Sequence, residues 1–364
     1  MAVLLFHLLL LLYLRVPVRV IATALCPDGT SAPNGSQQCC PFVELLADIQ
    51  QNLTGTTSCT DLAKNVLRLA FHDAMGASDS LTSQGQFGGG GADGSILVFP
   101  QETTYAANEG FNLTVFLLQP FLERNPSVSP GDFLQFAAAV GLATCPGAPQ
   151  VNFLAGRPSP TAAAPDQLIP EPTDSVTTIL NRFNDAGGFA PAEVIALMAA
   201  HSIAEDYHWE VVNLRTPFDS TPDVFDTQFY LDVLLNGTVA PNVTDPTMFS
   251  ASPFNGELRL LSDAALARDN RTACTWQGFV NEQTSMQQAF GAAWAKMSVV
   301  GQSVQALVDC SSLVPTPPPL SSTQNSATFM GGTTPSNVQQ APACTSAFPT
   351  ISTTSAMFTP IIRP

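Results

Sequence analysis

Arg68, His72 and Asp73 put a cation, an imidazole and a carboxylate within the six residues Arg68-Leu-Ala-Phe71-His72-Asp73 of an otherwise apolar stretch. On a helix Arg68 and His72, four apart, share one face. Asp73 points roughly 100° away from His72. Two polar groups therefore aim into one pocket, and the carboxylate serves whatever lies behind it. Buried charges are costly unless they are paired or ligate something. The segment predicts a site.

His201 lies near the end of a second apolar helix, in Ala199-Ala200-His201-Ser202. A lone histidine on such a helix is more often a core residue than a ligand, but His72 and His201 are each followed by an oxygen-rich loop. Asp73, Gly91, Asp93 and Ser95 form one cluster; Ser202, Asp219, Thr221, Val224 and Asp226 form the other. Ca²⁺ takes six to eight oxygens from carboxylates, hydroxyls and backbone carbonyls. Each cluster supplies that mixture, so two Ca²⁺ sites are expected. Either loop alone would read as ordinary turn chemistry.

The elements that must hold these groups read as helices. Apolar spacing near 3.6 recurs over 40–52, 59–76, 112–124, 130–144, 174–186, 190–204, 225–235 and 284–300. Asp174 is positioned to cap one helix, Gly187-Gly188 to stop it, and Pro130 to open another. Strand alternation is not sustained, so a mostly α fold with at most short hairpins is predicted. Long Gly- and Pro-rich connections, Gly85–Gly94 and Pro158–Pro172, suggest loops with a function. From Ser311 onward a Pro-, Ser- and Thr-rich composition predicts an extended tail over the surface, pinned by Cys344.

The leucine-rich run Val3–Leu12 and Ala22-Thr23-Ala24 read as a signal peptide cleaved after Ala24. No later segment is apolar enough to span a bilayer. All 8 cysteines follow that cut, and an even number outside the cell implies disulfides. N-x-S/T sequons begin at Asn34, Asn52, Asn112, Asn236, Asn242 and Asn270. The net charge of −16 excludes nucleic acid and anionic membranes as partners. The length favours two lobes, 25–157 and 158–310, with the signal at 1–24 and the tail at 311–364.

The motifs Arg68-x-x-Phe-His-Asp73, Gly91-x-Asp-Gly-Ser95, Cys145-Pro-Gly-Ala-Pro149, Ile169-Pro-Glu-Pro172, Asn184-Asp-Ala-Gly-Gly188, Ala200-His-Ser202, Pro217-Phe-Asp-Ser-Thr-Pro222 and Ser262-Asp…Ala267-Arg-Asp269 occur in fixed order. Over essentially the whole mature chain the sequence resembles the secreted fungal haem peroxidases, which include lignin, manganese, versatile and generic types. The resemblance implies one haem b and two Ca²⁺ in a two-lobed helical fold. It implies H₂O₂ and small phenolic or aromatic reductants as partners, and a monomer. His201 would be the haem iron ligand, with Asp263 accepting its other N–H. His72 would be the base that moves the peroxide proton, Arg68 the charge stabiliser, and Asn108 the partner of His72. Phe71 and Phe218 would flank the haem. The implied disulfides are Cys26–Cys40, Cys39–Cys310, Cys59–Cys145 and Cys274–Cys344.

The donor side departs from the best-known members. Manganese-oxidising relatives carry carboxylates where this chain has Asp61, Asn65 and Tyr207, and Mn²⁺ favours carboxylate oxygen. Lignin and versatile types carry an exposed Trp where this chain has Ala196. Tyr207 and Trp209 are a weaker candidate for a surface radical site; Trp276 and Trp294 read as core. The reading is a generic peroxidase working at the haem edge, with possible involvement in lignin degradation. The alternatives are an atypical manganese peroxidase using Asp61 with a haem propionate, and a secreted protein whose haem is non-catalytic. A zinc hydrolase is excluded for want of an H-x-x-x-H spacing.

Overall fold

The computed structural model describes residues 24–206, 216–243, 246–321 and 324–359. The signal segment, Tyr207, His208 and Trp209 lie outside the described residues, apart from Ala24 at the signal's end.

Twelve α-helices form among the described residues: α1 Pro41–Asn52, α2 Asp61–Ala74, α3 Asp79–Ser83, α4 Ser95–Val98, α5 Phe111–Arg124, α6 Pro130–Leu142, α7 Val176–Gly187, α8 Pro191–Leu197, α9 Gln228–Leu234, α10 Leu261–Leu266, α11 Ala273–Phe279 and α12 Gln283–Met297. None is long and apolar enough to cross a membrane by itself. All eight predicted helices are present. The helices α3, α4, α10 and α11 were not anticipated; none exceeds seven residues, too short for periodicity to register.

Every residue of α6 from Gly131 to Leu142 is buried, as expected of a helix that is apolar all round. Against it lies α2, where Gly141 lets the two backbones approach: a Cβ there would meet Ala63 at 3.3 Å. Thr60 caps α2 by accepting from Ala63 N at 3.2 Å. Ser129 caps α6, with Pro130 in its first turn as predicted. Gly188, at φ 67°, ends α7 as predicted. The start of α7 differs: Ser175, not Asp174, is the cap, accepting from Thr178 N. Asp174 instead accepts from Glu171 N at 2.8 Å and stabilises the turn before the helix.

Strands are two-residue pieces. Antiparallel pairs join β1 (Leu154–Ala155) to β6 (Val308–Asp309), β2 (Glu205–Asp206) to β3 (Thr216–Pro217), and β4 (Phe249–Ser250) to β5 (Arg259–Leu260); β7 (Thr328–Phe329) and β8 (Ser352–Thr353) pair in parallel. The expectation of hairpins therefore needs correcting, because β1–β6 is a long-range pairing and β7–β8 a parallel one. The tail expectation is corrected too. Val314, Ala327, Phe329 and Ile351 enter the main core, so the tail packs as well as covers. Its apolar residues are isolated, which is why composition read as surface.

The four disulfides are those the resemblance implied. Cys39–Cys310 closes the longest loop, with a sequence separation of 271. A bridge limits the unfolded chain more as its loop lengthens. Replacing Cys39 and Cys310 together by alanine is therefore expected to cost about 2–5 kcal/mol, read as a lowered denaturant midpoint.

Candidate active site

A cleft of about 290 Å³ opens between α2, α7, α8 and the loop 169–172. Its walls are largely apolar, with Leu67, Phe71, Ile179, Phe183, Leu197 and Met198 among them. Arg68, His72 and His201 also border it, so both sequence-predicted histidines reach one cavity.

On α2, Arg68 and His72 do share a face. The Arg68 guanidinium lies 4.5 Å from the Phe111 ring centroid, and His72 packs edge-on against Phe111 and Phe71. Asn108 ends a short 3₁₀ turn, Ala106–Asn108. Its Nδ2 donates to Glu102 O at 2.9 Å, and its Oδ1 lies 2.8 Å from His72 Nδ1. An amide whose nitrogen already donates must accept through its oxygen, which assigns the proton to Nδ1 and leaves Nε2 as the acceptor. Burial pulls the His72 pKa well below the ordinary value of 6.5; the Arg68 charge adds to this, and the Asn108 bond opposes it. His72 is therefore a neutral base in mildly acidic solution.

Helix α8 tightens at Met198 into the 3₁₀ turn Met198–Ile203, which carries His201. His201 Nδ1 lies 3.1 Å from Oδ2 of Asp263, a buried residue in the first turn of α10. Asp263 Oδ1 is buried without a hydrogen-bond partner. The carboxylate fixes the Nδ1–H tautomer and leaves Nε2 as a metal-ligand lone pair. Phe218 and Phe229 pack edge-on against the ring, at 5.5 and 5.6 Å between centroids. A donor set of one oriented imidazole, facing apolar walls and a second imidazole–guanidinium pair, fits a haem.

Behind α2, Asp73 is buried and accepts from Gly94 N at 2.9 Å and Ile96 N at 3.4 Å. Asp93 Oδ1 accepts from Ser95 N, and Ser95 Oγ is buried without a partner. Burial, then the Asp93 charge, pushes Asp73 well above the usual carboxylate range. Gly91, at φ 66°, lies where a Cβ would meet Val300 O at 2.3 Å, so only glycine fits that turn.

Part of the second cluster is joined by hydrogen bonds. Thr221 N donates to Asp219 Oδ1 at 2.9 Å and Thr221 Oγ1 to Asp226 Oδ1 at 3.0 Å. Val224 N donates to Thr221 O at 3.1 Å, while Ser202, buried seventeen residues before Asp219 in the chain, donates its Oγ to Ala199 O. Burial pushes Asp219 well up, and its charged neighbours Asp226, Asp232 and Glu257 push further; Asp226 rises to about 7. Among the described residues no three His, Cys, Asp or Glu side chains converge as a metal cage. A cation in either loop would therefore depend on hydroxyl and carbonyl oxygens as well.

Asp61 opens α2 and does not border the cleft. Lys64 does, and sequence reasoning missed it. Its Nζ lies 2.5 Å from Glu205 Oε1 and 3.3 Å from Asp223 Oδ1. The signal was present: Lys64, Arg68 and His72 recur at intervals of four on one helix face. Ala196 is 1% exposed, inside α8. Trp276 and Trp294 are core as expected, though Trp294 also borders the cleft.

Fold and cleft define an enzyme class. Residues 45–282 match the peroxidase family model, and residues 285–364 match the fungal peroxidase extension region. The chain belongs to the peroxidase family, and with it comes haem. It is 48% identical to "Manganese peroxidase 2" of Phlebia radiata over 91% of this chain and 86% of that one. It is 47% identical to "Peroxidase" of Arthromyces ramosus over 80% and 79%, and 44% identical to "Ligninase H2" of Phanerodontia chrysosporium over 90% and 87%. The protein is thus a fungal-type peroxidase that uses H₂O₂ to oxidise reducing substrates, and the non-catalytic alternative falls.

Proposed function

We propose that this peroxidase is a generic, low-potential enzyme, secreted and monomeric, that oxidises small phenols and aromatic donors one electron at a time at the haem edge. The observation that carries the subtype is the Lys64 ammonium, bound to Glu205 at the rim of the cleft. On the helix where manganese-oxidising relatives gather carboxylates, this chain places Asp61 and the neutral amide Asn65, and Lys64 between them in sequence already engages the carboxylates of Glu205 and Asp223. A buried alanine at position 196 supplies no surface aromatic.

His201 would hold the haem iron and Asp263 would orient it, while Phe71 and Phe218 would confine the ring. When bound, haem supplies the redox centre at which peroxide takes up two electrons. His72 Nε2 accepts a proton from one peroxide oxygen and passes it to the other, which departs as water. Arg68 carries the negative charge growing on that departing oxygen. Asn108 keeps the His72 proton on Nδ1, so that Nε2 stays available. Two donors AH then each give an electron and a proton, so that H₂O₂ + 2 AH becomes 2 H₂O + 2 A•.

Two Ca²⁺ complete the assignment. One is held by Asp73, Gly91, Asp93 and Ser95, and the other by Ser202, Asp219, Thr221, Val224 and Asp226. In each cluster a buried carboxylate lies beside another acid whose charge pushes its pKa up, Asp93 acting on Asp73 and Asp226 on Asp219, and a cation would balance that charge. Lobes at 25–157 and 158–310, with a tail at 311–364, follow from the same reading. Steady-state turnover of the holoenzyme tests the subtype: a simple phenol should be oxidised fastest, ahead of Mn²⁺ and a non-phenolic aromatic. Mn²⁺ as the best donor would instead favour the Asp61–propionate alternative.

A further inference from the structure

Helix α5 leaves an apolar face uncovered. Leu113 is 65% exposed, Phe116 71% and Leu117 39%, all on adjoining turns of one helix. Contiguous exposed apolar patches mark contacts or liabilities rather than neutral surface.

At the head of this face stands the sequon Asn112-Leu113-Thr114. Two residues apart on a helix are roughly 200° apart, and the burial follows that geometry: Thr114 is buried against the core while Asn112 is exposed. Asn112 and Phe116 are four apart, hence neighbours on the outer surface. No hydrogen bond engages the Asn112 amide among the described residues. Three of the other five sequons differ. Asn34 Nδ2 donates to Asp309 O at 2.8 Å, Asn52 Nδ2 to Asp48 Oδ1 at 2.8 Å, and Asn236 Oδ1 accepts from Gln339 Nε2 at 3.0 Å.

We propose that Asn112 carries an N-linked glycan, and that its inner sugars are the occupant of the Leu113–Phe116–Leu117 face. N-acetylglucosamine presents an apolar C–H face, which packs on an aromatic ring, and a hydroxyl rim, which stays hydrated. Such a sugar turns an adhesive helix face into a soluble one. The proposal rests on the reading that the chain is secreted, because only the secretory route supplies the glycosyl donor.

The test uses holoenzyme secreted from a fungal host. Peptide mass spectrometry before and after glycosidase treatment should show a removable increment at Asn112. Asn112→Gln should remove it, delay elution from a hydrophobic-interaction column and promote concentration-dependent association, with peroxidase activity unchanged. Adding Phe116→Ser to that variant should restore early elution. A bare Asn112 beside occupied sequons elsewhere would overturn the proposal alone. Bare asparagines at every sequon would overturn it together with the secretion reading. An occupied Asn112 whose removal leaves elution and association unchanged would overturn the covering role.

Discussion

Replacing His72 by leucine should slow the reaction of the holoenzyme with H₂O₂ by about 10²–10⁴-fold, the usual contribution of a positioned acid–base group. Haem should remain bound, because His201 and Asp263 are untouched. Leucine fills the space between Phe71 and Phe111 but cannot move a proton. The pH dependence follows in sign. His72 works only as the neutral base, and burial and Arg68 hold its pKa well below 6.5. The bimolecular rate should therefore stay flat as pH falls through 6.5, and drop only on passing the depressed pKa. Asn108 is the contact that raises that pKa, so Asn108→Ala should move the acid limb lower while weakening the base. Stopped-flow rates across pH check both. A His72→Leu enzyme reacting at the wild-type rate would remove His72 from the chemistry.

Stripping divalent cations should lower the thermal midpoint substantially. A site saturated at 100 times its dissociation constant adds about 2.7 kcal/mol, which for a cooperative unit of about 340 residues is roughly 4 °C per site. Asp219 and Asp226 are buried together, and without a cation their charges repel. Chelation should also impair the peroxide reaction, since Asp73 adjoins His72 in sequence and Ser202 adjoins His201. Asp219→Asn keeps the shape but removes one charge, and should abolish about half of the calcium-dependent shift. Calorimetry with and without chelator measures this. A midpoint indifferent to chelation would eliminate both cation sites.

The distal face was legible because its logic is local. Arg68 and His72 are one turn apart, and Asp73 turns away from them to the loop at 94–96. The proximal couple was not legible from spacing, since Asp263 is 62 residues from His201 and only the resemblance suggested it. The Lys64–Glu205 pair spans 141 residues and was missed for the same reason. Helix ends erred where a neighbour competed: Ser175 and Asp174 can both cap, and the backbone chose the serine. Short helices such as α10 form because tertiary packing supports them, not because their own periodicity demands it.

The Cys39–Cys310 bridge also sets a timetable for synthesis. Cys40 finds Cys26 only 14 residues away, whereas its neighbour Cys39 must wait for a thiol 271 residues downstream. At ordinary elongation rates that wait is roughly 14–54 s. Throughout it, two adjacent thiols compete for one early partner, and Cys26–Cys39 closes a loop as small as the native one. Any chain that closes Cys26–Cys39 first reaches the native pairing only by thiol–disulfide exchange once Cys310 has emerged, a step that takes seconds to hours unless it is catalysed.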